Sequence, residues 1–391
     1  MQSYNFDEII DRKNSNSLKW DLLKERFGRN DLLPLWVADM DFKTPDFIMN
    51  AIRKRCGHEI LGYSLPDKNL YKSIITWLEK RLGLPVDETM MGFIPGVVAG
   101  LACCINCFSE KGDKIVIQPP IYPPFFSVPK QNERIVLTNP LRLKDGRYCM
   151  DFEQLEDVLA KNTCKLFLLC NPHNPGGRSW TKDELVELAT ICAKHQVLVV
   201  SDEIHGDLVL PGHQHVSFSS VSESAKMNSI TLMAPSKTFN MAGLSSSFYF
   251  AHSTSIKRKF DTFMHRNELA NGSIFAYTAT QAAYEHGTDW LNQLLVYLKE
   301  NVDFTDTFLK NNIPQIKAMI PDASFLVWLD CRELKLSQPD LVSLFINKAK
   351  LALNDGASFG EEGSGFMRLN VGCPRAVLEQ ALEQLKLRIE S

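Results

Sequence analysis

The sequence predicts an α/β protein: a large domain with a mainly parallel central sheet sandwiched by helices, and a smaller α/β domain. Three observations carry that prediction. Short runs rich in Val, Ile, Leu and Phe recur between residues 114 and 251, and their lack of polar alternation marks strands covered on both faces. A clear helix stands between two of these runs, at the spacing of a βαβ unit. Beyond about residue 285 the pattern changes to a long amphipathic helix followed by further strands.

In chain order, the first 45 residues, with "LLPLWVADMDF", show no strong periodicity and are expected to pack against the smaller domain. The large domain is placed at 46–285, and the small one at 1–45 and 286–391. In "GFIPGVVAGLACCINCF" (92–108), glycines at 92, 96 and 100 introduce an apolar helical run. Strands are expected at "KIVIQ" (114–118), "RIVLT" (134–138), "KLFLLC" (165–170), "VLVVS" (197–201), "ITLMA" (230–234) and "SFYFA" (247–251). Thr181 and Glu184 form a capping box before "LVELATICAKH", which fixes a helix start between two of those strands. Apolar residues at 291, 294, 295, 298 and 302 make one stripe of the long helix. Strands at 324–330 and 366–372, a helix between them and a C-terminal helix complete the chain.

The bulk numbers narrow the function classes. With 391 residues, 45% hydrophobic and 23% charged, the chain has material for a large core. A formal net charge of −3 provides no diffuse basic field for nucleic acid or anionic lipid. The start "MQSYNFDEII" lacks the basic and apolar regions of a signal peptide, and no apolar run approaches the ~20 residues of a membrane span. A cytoplasmic protein is the expectation. The ten cysteines lie mostly in apolar segments and read as buried hydrophobes. Cys104 and Cys107 form a CxxC without a second pair, and His213 and His215 of "GHQHV" read as a polar loop rather than a metal site.

Polar residues stand where these strands end. "KLFLLC" runs into "NPHNPGG", "VLVVS" into "DEIH", and "ITLMA" into "PSKTFN". Asn174, Asp202 and Lys237 therefore share one end of the sheet, where open α/β sheets bind ligands. The turn around Gly96 directs backbone amides and a helix N-terminus at an anion. It matches neither a P-loop nor a dinucleotide fingerprint. A lysine amine, a carboxylate, an amide and a phosphate cup together suit pyridoxal phosphate. That cofactor takes a Schiff base from lysine and has its ring nitrogen held protonated by a carboxylate.

The chain resembles the fold-type I pyridoxal-phosphate enzymes of aminotransferase class I/II over nearly its whole length, in their cystathionine β-lyase or carbon–sulfur lyase branch. The segments that carry this are "PLWVADMDF", "GY" (62–63), "PGVVAGL", "QPPIYPPF", "NPHNPGGRSW", "SDEIHGDL", "APSKTFNMAGL", "AYEHGTDWL" and "RLNVGCP". The resemblance implies that Lys237 carries the cofactor, Asp202 pairs with the pyridine nitrogen, Asn174 meets the phenolic oxygen and Tyr122 stacks on the ring. Gly96, Val97 and Val98 would offer amides to the phosphate, joined by Ser236. Tyr63 would reach the phosphate of a neighbouring subunit, implying a homodimer. Arg368 would grip the substrate carboxylate, with Asn174 beside it. Two positions depart from many aminotransferases: a tyrosine is replaced by His205, and a serine by Ala234. His205 is typical of the lyase branch and is retained as a site residue; Ala234 shifts the phosphate onto Ser236 and the glycine turn.

What the resemblance implies chemically is α,β-elimination from an S-substituted L-cysteine, giving a thiol, pyruvate and ammonia. Lys237 would act as the base at Cα. The alternative is transamination by the same residues, in which the proton returns to the cofactor instead of a thiolate leaving. The sequence carries no metal and no nucleic-acid partner in this reading.

Overall fold

The computed structural model describes residues 3–389. Its centre is a seven-stranded sheet made of β1 (Met91–Ile94), β2 (Lys114–Ile117), β3 (Ile135–Thr138), β4 (Cys164–Cys170), β5 (Leu198–Asp202), β6 (Ser229–Met233) and β7 (Ser247–Phe250). The spatial order is β1-β7-β6-β5-β4-β2-β3. The five strands from β6 to β3 are parallel, and β7 closes the other side antiparallel to both β6 and β1.

Every residue of β5 except Leu198, and every residue of β6 and β7, is buried. This is the environment that continuous apolar runs require when helices cover both faces of a sheet. "RIVLT" behaves differently. As β3 it is the edge strand, with Ile135 exposed at 48%, so its apolar composition did not mean cover on both faces. Strand β1 is absent from the expected strands, because "MGFI" is short and interrupted by a glycine that weakens the strand signal. Gly92 is needed there, since a Cβ would collide with the Tyr249 side chain.

The capping box is present. Thr181 accepts from the Glu184 amide and the Glu184 side chain accepts from the Thr181 amide, opening the helix Lys182–Lys194. The long helix spans Thr288–Asn312, and Leu291, Leu294, Leu295, Leu298 and Val302 are all buried on it. It leads to a four-stranded antiparallel sheet of β8 (Lys317–Met319), β9 (Leu326–Asp330), β10 (Asn354–Asp355) and β11 (Phe366–Asn370), ordered β8-β9-β11-β10. The N-terminal segment docks beside this sheet: Leu33–Pro34 pair in parallel with Leu351–Ala352, and Asp41 N–H donates to the Gly372 carbonyl at 2.8 Å.

Cys104 is buried and Cys107 half-buried on the helix Val97–Phe108, and burial raises both thiols above their ordinary range. The "GHQHV" reading needs correcting at one position. His215 is buried, with Nε2 2.9 Å from a buried Glu203 carboxylate oxygen, so it is a core polar partner of β5's exit and not a loop residue in water. Among the described residues, no helix is long and apolar enough to cross a membrane.

Candidate active site

Parallel register brings the strand ends together. Cys170 at the end of β4 pairs with Asp202 at the end of β5, and Asp202 pairs with Leu232 on β6. The chain leaves β6 through Ala234 and turns at once into the short helix Pro235–Thr238, with proline in its first turn. Proline is pre-organised for that position, so the turn is tight and Lys237 remains at the sheet edge. A cavity of about 310 Å³ opens there, lined among others by Gly96, Val97, Tyr122, Asn174, Asp202 and Lys237.

Lys237 is the amine of this cavity. Its Nζ donates to the Ala38 carbonyl at 2.6 Å. Burial pushes its pKa down to about 8, against an upward pull from Asp39, because a charged ammonium loses water it cannot fully replace. Asp202 shows the mirror effect. Its carboxylate accepts from the Ile204 amide at 3.1 Å, and burial raises its pKa to about 7. A carboxylate with so little compensation suits a cationic N–H partner.

On the opposite wall, the helix Val97–Phe108 begins at Gly96, whose φ of 155° and ψ of 153° lie in a region essentially reserved for glycine. No side chain caps this helix start, so its first amides are free to face an anion. Of the three glycines in the motif, only Gly96 has this role. Gly100 exists for packing, since a Cβ there would meet Ile94 at 2.5 Å.

Asn174 and Arg368 join the exit of β4 to strand β11. Arg368 Nη1 donates to Asn174 Oδ1 at 3.1 Å, while Nη2 donates to the Trp36 carbonyl at 2.9 Å and to Asn354 Oδ1 at 2.8 Å. The guanidinium lies over the Phe359 ring at 5.0 Å. It is buried, and no carboxylate pairs with it among the described residues. Burial lowers its pKa to about 10, so it stays cationic at neutral pH. It stands one hydrogen bond behind Asn174, outside the residues that line the cavity itself. The bond it makes uses the Asn174 oxygen and leaves the Asn174 NH2 as a donor.

Tyr122 lines the cavity beside them, its backbone N–H bonded to the Asn174 carbonyl at 3.1 Å. His205 also lines the cavity. Burial, with Lys237 and Arg368 nearby, pushes its pKa down to about 3, so it is a neutral imidazole, and its Nδ1 has no hydrogen-bond partner among the described residues. Val98 and Ser236 are in the same lining, and Ala234 is buried just before it.

Tyr63 is elsewhere. It is fully exposed in a segment without regular structure, next to exposed Ile60, Leu61 and Leu65, and it lines no part of this cavity. Sequence reasoning passed over Ser245, Ser246 and Ser247, which also line the cavity. It gave no role to Trp36, Ala38 or Asn354, because two of them act through backbone carbonyls that no side-chain pattern reveals. The triple serine after "NMAGL" was the one available signal.

The profile of "Aminotransferase class I and II" matches residues 30–385. The chain belongs to that family. Within it, the chain is 44% identical to cystathionine beta-lyase PatB of Bacillus subtilis (strain 168), covering 98% of this chain and 99% of that protein. Among solved structures it is similar to cystalysin of Treponema denticola, which contains pyridoxal 5'-phosphate, at a TM-score of 0.96 and 34% identity over 100% of this chain and 99% of that one. It is equally close in shape to a PLP-bound protein of Clostridium difficile 630, provisionally named an aminotransferase, with a TM-score of 0.96 and 42% identity over 99% and 100% of the two chains. The family cofactor fits the residues present: a half-buried amine, a half-satisfied carboxylate and an uncapped glycine helix start surround one cavity.

Proposed function

We propose that this family member is a pyridoxal-phosphate-dependent carbon–sulfur β-lyase, cleaving an S-substituted L-cysteine such as cystathionine to a thiol, pyruvate and ammonia. The observation that carries the reading is the half-buried Lys237 amine, with a pKa near 8, facing a cavity it shares with Asp202. When bound, the cofactor supplies an electron sink for charge developed at the substrate Cα. Lys237 would hold it and, once released, would take the Cα proton, for which a pKa near neutrality is suited. Asp202 would accept the ring N–H, and its raised pKa gives it reason to do so. Gly96, Val97, Val98 and Ser236 would hold the phosphate, Tyr122 would cover one ring face, and the Asn174 NH2 would donate to the phenolic oxygen. Arg368, whose Nε has no partner among the described residues, would meet the substrate α-carboxylate from behind Asn174. His205, neutral and with a free ring nitrogen, would complete the wall near the substrate.

We also place residues 46–285 as the cofactor lobe and 1–45 with 286–391 as the second lobe, in a cytoplasmic homodimer. The exposed apolar segment around Tyr63 supports the dimer, because a contiguous apolar stretch in water favours a covering partner. The test is incubation of the holoenzyme with L-cystathionine and no 2-oxo acid. Sustained release of pyruvate and free thiol is expected. A single stoichiometric bleaching, relieved only by adding 2-oxo acids, would overturn the lyase in favour of the aminotransferase.

A further inference from the structure

One segment touches both cations of the site. Residues 36–42 reach both Lys237 and Arg368, presenting the Ala38 carbonyl to the amine at 2.6 Å and the Trp36 carbonyl to the guanidinium at 2.9 Å. Two asparagines fasten it, each from the neighbourhood of one of those cations. Asn240, three residues after Lys237, donates to the Met40 and Phe42 carbonyls at 2.9 and 2.7 Å and accepts from the Met40 amide at 3.0 Å. Asn370, two residues after Arg368, donates to the Val37 and Asp39 carbonyls, both at 2.6 Å.

The same segment carries two carboxylates, and both are held by the N-terminal arm. Arg12 spans them, with Nη2 to Asp39 Oδ2 and Nη1 to Asp41 Oδ1, each at 2.6 Å. Lys19, fully buried, reaches Asp41 Oδ2 at 2.6 Å. Trp36 Nε1 in turn donates to the Lys19 carbonyl at 3.0 Å. Such a cluster is over-specified for simply tethering a chain end. An exposed ion pair would contribute little, whereas buried and partly buried charges of this kind select one geometry.

We propose that Arg12 and Lys19 are positioning residues for this site: by gripping Asp39 and Asp41 they set the Trp36–Phe42 segment, whose carbonyls hold the free Lys237 amine and the Arg368 guanidinium at a fixed separation. The Ala38 carbonyl is then the resting place of the amine whenever it is not covalently engaged. Arg12 also neutralises Asp39, which lies close enough to Lys237 to pull on its proton. The kinetic part of this inference rests on the lyase reading; the structural part does not.

The experiment compares Arg12→Ala, Arg12→Lys and Asp39→Asn with the parent protein. Hydrogen exchange of the Met40 and Asp41 amides is followed in the cofactor-free protein, and kcat and KM with L-cystathionine in the holoenzyme. Arg12→Ala should speed exchange of those amides about tenfold or more. It should also lower kcat and raise KM together, for a combined loss of about 100-fold, because both the base and the carboxylate fork shift. Arg12→Lys should recover most of the loss, since an ammonium still engages one carboxylate, and Asp39→Asn should act in the same direction as Arg12→Ala but less. A folded Arg12→Ala protein with unchanged exchange, or with parent kcat and KM despite lower stability, overturns the assignment. If Arg12→Ala does not fold, parent-like exchange and constants in both other variants overturn it equally. A parent enzyme that releases no pyruvate sinks the lyase reading alone, and the exchange comparison still decides the segment's role.

Discussion

Asp202 and Lys237 are an acid and a base drawn towards neutrality by the same burial. For Asp202 the folded-state pKa is about 7, against roughly 4 in an unfolded chain. The folded protein therefore binds more protons between those values, and its cofactor-free stability falls as pH rises through that window. Asp202→Asn should relieve the cost. We expect urea unfolding of the cofactor-free variant to show a gain of at most about 4 kcal/mol at pH 7.5 and none near pH 4, with turnover lost. Equal stabilities at both pH values would mean that the carboxylate is compensated in the folded state. The same residue thus sits in the cavity at the expense of stability, a trade that functional sites commonly make.

At the scale of elements, the decisive unit is the glycine-led helix start on the cavity wall. The backbone at Gly96 is open to glycine and strained for any L residue, although nothing lies within 4 Å of an added Cβ. Gly96→Ala should therefore cost about 1–3 kcal/mol through backbone strain alone. It should also weaken cofactor retention, because the leading amides can no longer align on one anion. Denaturant unfolding and titration of the cofactor-free protein with pyridoxal phosphate would measure the two effects separately. Unchanged affinity would remove this helix start from the phosphate cup. The helix itself was legible in "GVVAGLACCINCF", and the Thr181–Glu184 box read correctly to the residue, since capping uses contacts only three positions apart. The edge position of β3 was not legible. "RIVLT" carries the same residue types as an interior strand, and only sheet order decides which strand has a neighbour on one side.

For the whole molecule, the open question at the sequence was where Tyr63 belongs. It lies fully exposed, away from the cavity of its own chain, so any role at a phosphate requires a second copy. Mixing inactive Lys237→Ala and Tyr63→Ala proteins tests this. If sites are shared in a two-fold dimer, hybrids regenerate one intact site, and activity should rise to no more than about a quarter of the parent's. No recovery, or full activity in Tyr63→Ala alone, excludes a shared site.

By itself, the sequence determined the alternation of strands and helices, the long amphipathic helix Thr288–Asn312 and the three polar strand ends at Asn174, Asp202 and Lys237. Those follow from local periodicity, capping and the direction of parallel strands, which act over a few residues. The tertiary structure alone decided that the Ala38 and Trp36 carbonyls meet Lys237 and Arg368, and that His215 leaves its polar segment for the buried Glu203. Backbone carbonyls are the same in every residue, so composition cannot reveal which of them faces a cation. Contacts across 199 and 332 positions exist only once the chain has folded.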